Sequence, residues 1–226
     1  MNTLTSPQLA PLLDRLFDEA DAISPASISA VAALSSEERT RLMHSKTDYL
    51  DFYGRLKDVA LPVSRETGVL LYMLARGGRA RTIVEFGTSF GISTLHLAAA
   101  LRDNGGGRLI TCEFEPSKIA RARENLMSGA LFDLVEIREG DALQTLSVDL
   151  PDSIELLLLD GAKALYGDVL SLVESRLAQG AFVVADNAAY SPDYLARVRA
   201  PGNGYLSIPF GGDVEVSMRV GVGKPS

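Results

Sequence analysis

A chain of 226 residues, 46% hydrophobic and 23% charged, can bury a full core and suits one α/β domain with an extra terminal segment rather than two independent domains. Its net charge of -7 speaks against a general nucleic-acid binder, which needs a basic face to displace counterions from phosphates. The single cysteine, Cys112, leaves no intrachain disulfide and no cysteine-based zinc cluster.

The opening residues, Met1 to Pro7, lack a basic region followed by an apolar run, and no later apolar segment approaches membrane-spanning length. A cytoplasmic protein with neither a membrane nor a nucleic-acid partner is therefore expected. From about Pro7 to Lys57 the pattern is helical, with Leu12, Leu13, Leu16 and Phe17 at helical spacing. Breaks are expected near Ser24-Pro25 and Ser35-Ser36, where Ser35 followed by Glu38 has the form of a capping box. A second helical stretch runs from about Ser64 to Arg76 and stops at Gly77-Gly78. Residues 1–62 thus read as a helical cap that is part of the same domain as residues 63–226.

Strands are expected at Thr82-Glu85, Arg108-Phe114, Leu134-Arg138, Glu155-Asp160 and Ala181-Asp186, separated by amphipathic segments such as Ser93-Leu101 and Pro116-Met127. Such alternation implies an α/β fold with a mostly parallel sheet covered by helices on both faces. After Asp186 a helix near Pro192-Arg199 precedes Tyr205-Phe210 and Val214-Val220, two strands around a Gly-Gly turn that read as a closing antiparallel hairpin.

In a parallel sheet, residues just past the carboxyl ends of strands converge on the ligand crevice. Two strands end in Asp160-Gly161-Ala162-Lys163 and Asp186-Asn187. Three hard oxygens and an amine placed together suggest a divalent cation beside a base. The first strand ends in Glu85-Phe86-Gly87-Thr88-Ser89-Phe90-Gly91-Ile92-Ser93, a glycine-bearing turn into a helix. Its glycines are three residues apart, which fits neither the dinucleotide fingerprint nor a Walker loop. The second strand ends in Glu113-Phe114-Glu115, an acid where such folds grip ribose hydroxyls, and the third in Gly140-Asp141-Ala142, where a polar group can meet a base edge. His96 reads as a packed helix residue and Cys112 as a small buried hydrophobe.

Taken in order and spacing, Glu85-x-Gly87-x-x-x-Gly91-x-Ser93, Glu113, Gly140-Asp141-Ala142, Asp160-x-x-Lys163 and Asp186-Asn187 resemble the cation-dependent class I S-adenosylmethionine O-methyltransferases, the family of the catechol and caffeoyl-coenzyme A enzymes. The resemblance covers about Pro62 to Gly221. It implies a Rossmann-like methyltransferase fold with a seven-stranded sheet. Glu85, Gly87 and Ser93 would frame the methionine end of S-adenosylmethionine, with Thr88, Ser89 and Gly91 completing that loop. Glu113 would hold the ribose hydroxyls with Phe114 beside it, and Ala142, flanked by Asp141, falls where the family contacts adenine. Asp160, Asp186 and Asn187 fall on its metal ligands, Lys163 on its catalytic lysine, and Asp160 also borders the cofactor.

Three protein ligands leave roughly three octahedral positions, which predicts an acceptor with two neighbouring hydroxyls on a small aromatic. Mg²⁺ suits an oxygen-only site, while Ca²⁺ or Mn²⁺ is not separable from it by sequence. A homodimer through the cap is expected by resemblance. In the animal catechol enzymes an acid before the last hairpin helps hold the second hydroxyl. Residues 204–209 here contain none, so catechol itself is not the expected acceptor. Tyr166 and Tyr190 are candidates for the acceptor pocket, and Arg65, Arg76, Arg79 and Arg81 for a local basic cluster. Two other readings remain: a non-catalytic S-adenosylmethionine-binding protein, and a nicotinamide-dependent oxidoreductase, which the glycine spacing disfavours.

Overall fold

The computed structural model describes residues 2–23 and 28–221; the break expected at Ser24-Pro25 lies outside them. The cap comprises α1 (Ala10–Asp21), α2 (Ser29–Ala32), α3 (Ser36–Met43) and α4 (Tyr49–Gly54), and α5 (Arg65–Gly77) leads into the sheet. At the start of α3 the expected capping box forms: Ser35 accepts from the Glu38 amide at 3.1 Å, and the Ser35 amide donates to Glu38 at 3.0 Å. α5 begins with Ser64 accepting from the Thr67 amide at 3.0 Å.

From there strands and helices alternate: β1 (Thr82–Phe86), α6 (Ile92–Asp103), β2 (Arg108–Glu113), α7 (Pro116–Ser128), β3 (Val135–Glu139), α8 (Ala142–Thr145), β4 (Ile154–Leu159), α9 (Tyr166–Val173) and β5 (Leu177–Ala185). α10 (Pro192–Arg199), β6 (Tyr205–Phe210) and β7 (Val214–Arg219) close the chain. The seven strands lie in the order β3-β2-β1-β4-β5-β7-β6, parallel from β3 to β5, with β7 antiparallel to both β5 and β6. The expected Rossmann-like sheet and its antiparallel end are therefore present. β5 starts four residues earlier than the apolar run suggested, since Leu177 pairs with Ile154 across a register shift.

Strand side chains alternate between the two faces of the sheet. Ile83, Leu109, Leu156, Leu158 and Val184 pack under α1, α5 and α6, while Val84, Ile110, Leu157, Leu159 and Val183 pack under α9 and α10. Each fully buried aliphatic side chain stabilises the fold by about 1.5–3 kcal/mol relative to exposure. Leu12, Leu13, Leu16 and Phe17 of α1 join the first of these cores, whereas Val31, Leu42, Phe52 and Leu56 form a separate cluster inside the cap. Among the described residues no helix is long and apolar enough to cross a membrane.

Candidate functional site

Sheet topology sets the place of the site. From β1 the chain winds outward through β2 to β3, then returns to β4 on the other side, so a crevice opens beyond the carboxyl ends of β1 and β4. Gly87, at φ +104°, lets the turn after β1 pass against the turn after β4: a Cβ there would stand 2.6 Å from the Asp160 carbonyl oxygen.

One cavity fills this crevice. Gly87 and Ser89 line it from the first turn, Glu113 and Phe114 from the second, Asp141 and Ala142 from the third, and Asp160 from the fourth. Glu113 is buried, and its carboxylate accepts from the amides of Ser89 at 2.9 Å, Phe114 at 3.0 Å and Glu115 at 3.1 Å. Burial pushes its pKa up, against the pull of Lys118 and of these amides. Asp141 caps α8 by accepting from the Leu143 amide at 3.0 Å.

Thr88 and Ser93 line a small adjoining cavity with Ala60, Leu61 and Pro62. Glu85 lies behind them, fully buried, with Ser93 and Thr94 hydroxyls donating to its two oxygens at 2.6 Å each. Burial, partly offset by those hydroxyls, raises its carboxyl to about 7. Gly91, at φ +81°, starts α6 in a left-handed conformation and borders neither cavity.

A second, larger opening of about 530 Å³ adjoins the first and shares Tyr53, Leu61, Asp160 and Gly161 with it. Its floor is the pair of strand ends. The Asp160 amide donates to the Phe86 carbonyl at 2.8 Å and the Asp186 amide to that of Leu159 at 3.0 Å, extending the β1/β4 and β4/β5 ladders by one residue. This register sets the two aspartates side by side. Lys163, 7% exposed, donates to Asp160 Oδ1 at 2.9 Å and lies over the Tyr166 ring at 5.4 Å. Burial and then the charge of Asp160 raise Asp186 to about 7. Burial alone would lower the Lys163 ammonium, but Asp160 and the groups around it outweigh burial and hold it well above its ordinary value.

Two buried carboxylates facing one ammonium favour added positive charge. Asn187 completes a hard-oxygen set: its Nδ2 donates to Asp213 Oδ2 at 2.9 Å, which assigns Oδ1 the acceptor role. Among the described residues no three of His, Cys, Asp and Glu gather as a metal cluster, so a cation here would need the Asn187 oxygen as its third protein ligand. That donor chemistry fits a hard divalent ion.

A family model described as a methyltransferase domain matches residues 84–188. The chain is 34% identical over 131 residues to a catechol O-methyltransferase of Niastella koreensis, covering 57% of this chain and 58% of that one. It is 30% identical over 155 residues to the catechol O-methyltransferase of Sus scrofa, covering 65% and 82% respectively. The chain belongs to the class I O-methyltransferase family. Its fold matches that of the Streptomyces achromogenes O-methyltransferase TomG in complex with SAM, at a TM-score of 0.63 and 24% identity over 90% of this chain and 99% of that one. The match to the first two curated relatives spans about three-fifths of their length, 58% and 61%.

For this O-methyltransferase-family chain, the structure gathers Gly87, Ser89, Glu113, Phe114, Asp141, Ala142 and Asp160 around one cavity and brings Asp160, Lys163, Asp186 and Asn187 together beside it. Glu85 and Gly91 stand behind the wall. Lys118, 4% exposed, was not foreseen: it lines the first cavity with its Nζ 3.5 Å from Ser89 Oγ. Its place two residues into α7 looks like an ordinary solvated lysine until the turn after β1 folds over it. Tyr49 and Tyr53 of α4 were also missed, because they reach the site from a cap that carries no motif.

Residues 204–209 contain no acid, but Asp213 reaches Asn187 from the hairpin. It comes from the β6–β7 turn, beyond residues 204–209, and its main-chain oxygen also accepts from the Ala188 amide at 2.8 Å. Tyr166 is core rather than pocket, its hydroxyl donating to the Asp186 carbonyl at 2.7 Å, and Tyr190 is exposed. Of the arginines considered for a local basic cluster, Arg65 is held by Asp14 and Asp18, while Arg76 and Arg81 both bond Asn104 in the α6–β2 turn.

Proposed function

We propose that the chain transfers the methyl group of S-adenosylmethionine to one hydroxyl of a small vicinal-dihydroxy aromatic, with a divalent cation at Asp160, Asp186 and Asn187. The observation that carries this reading is that Asp160 borders both the strand-end cavity and the groove beside it. A donor in the first and an acceptor in the second would meet over that carboxylate.

S-adenosylmethionine supplies an electrophilic methyl on a sulfonium, and the cation supplies positive charge that makes a bound hydroxyl more acidic. The chain's own residues do the rest. Glu113, whose Oε1 accepts from two amides and whose Oε2 accepts from one, keeps an acceptor site on Oε2 for a ribose hydroxyl. Phe114 and Ala142 give an apolar edge for a base, and Tyr53 at the junction keeps water from the space between the two sites. Phenols ionise near pH 10, so a proton must be taken from the acceptor. Lys163 is protonated as it stands beside two carboxylates. With their charge neutralised by a cation, burial would dominate and lower the Lys163 pKa, so that it would release its proton to solvent and stand as a neutral amine able to take the acceptor's proton. Asp213 accepts from Asn187 Nδ2 and so keeps the Asn187 Oδ1 free to act as an acceptor.

The test is a methyl-transfer assay on catechols, caffeoyl derivatives and flavonoids with and without EDTA. Turnover that the chelator abolishes and Mg²⁺ restores is expected, with Asp160→Ala and Asp186→Ala inactive. Full turnover in chelator would remove the cation from the mechanism. Lys163→Ala should lower kcat by about 10²–10⁴, the usual range for losing a general base, with little change in S-adenosylmethionine affinity; an unchanged kcat would remove Lys163 as the base.

A further inference from the structure

The groove beside Asp160 and Asp186 has a second pole that the chemistry above leaves unused. Its far wall comes from the cap, where Val31, Met43, Phe52 and Leu56 supply apolar surface and Arg39 of α3 stands among them. Arg39 is half-buried, and its Nε is shielded from solvent without a hydrogen-bond partner. Among the described residues it forms no ion pair, whereas Arg41 and Arg55 of the same cap hold Asp48 and Asp51. A guanidinium cannot shed its charge by deprotonation. The Arg39 Nη nitrogens are not shielded and likewise have no hydrogen-bond partner among the described residues, so they are the donors open to whatever anion the groove admits.

The remaining charges of the groove narrow the anion. Lys163 is engaged by Asp160 at 2.9 Å, and among the described residues the other groove acids are Asp186 on the floor and Asp21, exposed at the end of α1. One unpaired guanidinium on an apolar wall matches a single planar carboxylate, which it can bind through two parallel N–H donors. A polyphosphate would require further unpaired cations, and the groove lining offers none among the described residues.

We propose that the acceptor is a dihydroxy aromatic acid whose carboxylate is received by Arg39 while its hydroxyls face Asp160 and Asp186. This rests on the methyltransferase reading and names the substrate class for that site. Arg39 is then a specificity residue, distant from the reacting oxygen.

The experiment compares vicinal-dihydroxy aromatic acids, with the carboxylate on the ring or one or two carbons from it, against their methyl esters. Each pair is measured for kcat/KM, and for equilibrium binding in the presence of Mg²⁺ and S-adenosylhomocysteine. Wild type should favour at least one acid over its ester by about tenfold or more, the worth of a charge-assisted pair. Arg39→Gln should erase that preference through KM, and Arg39→Lys should keep part of it. The wild-type ratio stands independently of how well any variant folds. An ester bound as well as every acid, or a preference that survives in Arg39→Gln, overturns the proposal. Methyl transfer without acid preference sinks this inference alone. Arg39-dependent binding of the acid without any methyl transfer sinks the reaction and leaves the carboxylate site standing.

Discussion

Glu85 shows how a residue adjacent to a ligand loop can serve it indirectly. Its carboxyl shares a strand face with Ile83 and points under α6, where Ser93 and Thr94 occupy both oxygens. The folded state holds its proton more tightly than the unfolded chain, whose value is near 4.5, and the folded value is about 7. Its contribution to stability is therefore most favourable below pH 4.5 and declines as pH rises through 7, by about 3 kcal/mol in all. Glu85→Gln should flatten that decline in thermal melts taken from pH 5 to 8; an unaltered slope would show that another group titrates. Lys118 acts from the other side of the same turn. Its positive charge beside Glu113 opposes the rise in that carboxyl, so Lys118→Met should weaken S-adenosylmethionine binding severalfold. Titration calorimetry reads this directly, and unchanged affinity would mean that the three amides alone keep Glu113 ionised.

At the scale of elements, the close approach of α5 to α6 depends on Gly68. A Cβ at that position would lie 2.7 Å from the His96 ring, which is itself packed edge-on to Phe17 at 6.1 Å and anchored through Nδ1 to the Ile92 carbonyl at 2.8 Å. Alanine favours a helix interior by about 1 kcal/mol over glycine. Here overpacking should outweigh that gain, and Gly68→Ala is expected to destabilise the fold by about 1–3 kcal/mol. A double-mutant cycle with His96→Ala should recover part of the loss, since it removes the ring that the new methyl meets; purely additive losses would place the strain elsewhere. The strand ends follow a comparable logic. Leu159 pairs with Ala185, so each following residue is an aspartate, and parallel pairing alone brings Asp160 to Asp186. A slip of one residue would turn one carboxylate to the opposite face.

At the scale of the molecule, the cap and the sheet form one site. Tyr53 borders both openings, although α4 belongs to a segment with its own apolar cluster of Val31, Leu42, Phe52 and Leu56. Tyr53→Ala should therefore raise KM for both the methyl donor and the acceptor severalfold, each measured at saturation of the other. An effect on one substrate only would separate the two openings functionally. The strands, their order of appearance and the polar residues at their ends were legible from residue 82 onward because period-two apolar runs and strand-end motifs are local signals. Lys118, Tyr53, Arg39 and Asp213 were not, since nothing near them in sequence distinguishes a wall residue from a solvated one.

By itself the sequence determined an α/β fold with acids and an amide at the ends of apolar strands, and the family to which that pattern belongs. Tertiary structure decided which of those groups share a cavity: the parallel register that sets Asp160 beside Asp186, the hairpin turn that returns Asp213 to Asn187, and the cap that closes over both. These are contacts between residues far apart in the chain. They arise from burying the two faces of the sheet, a condition that no local pattern of residues records.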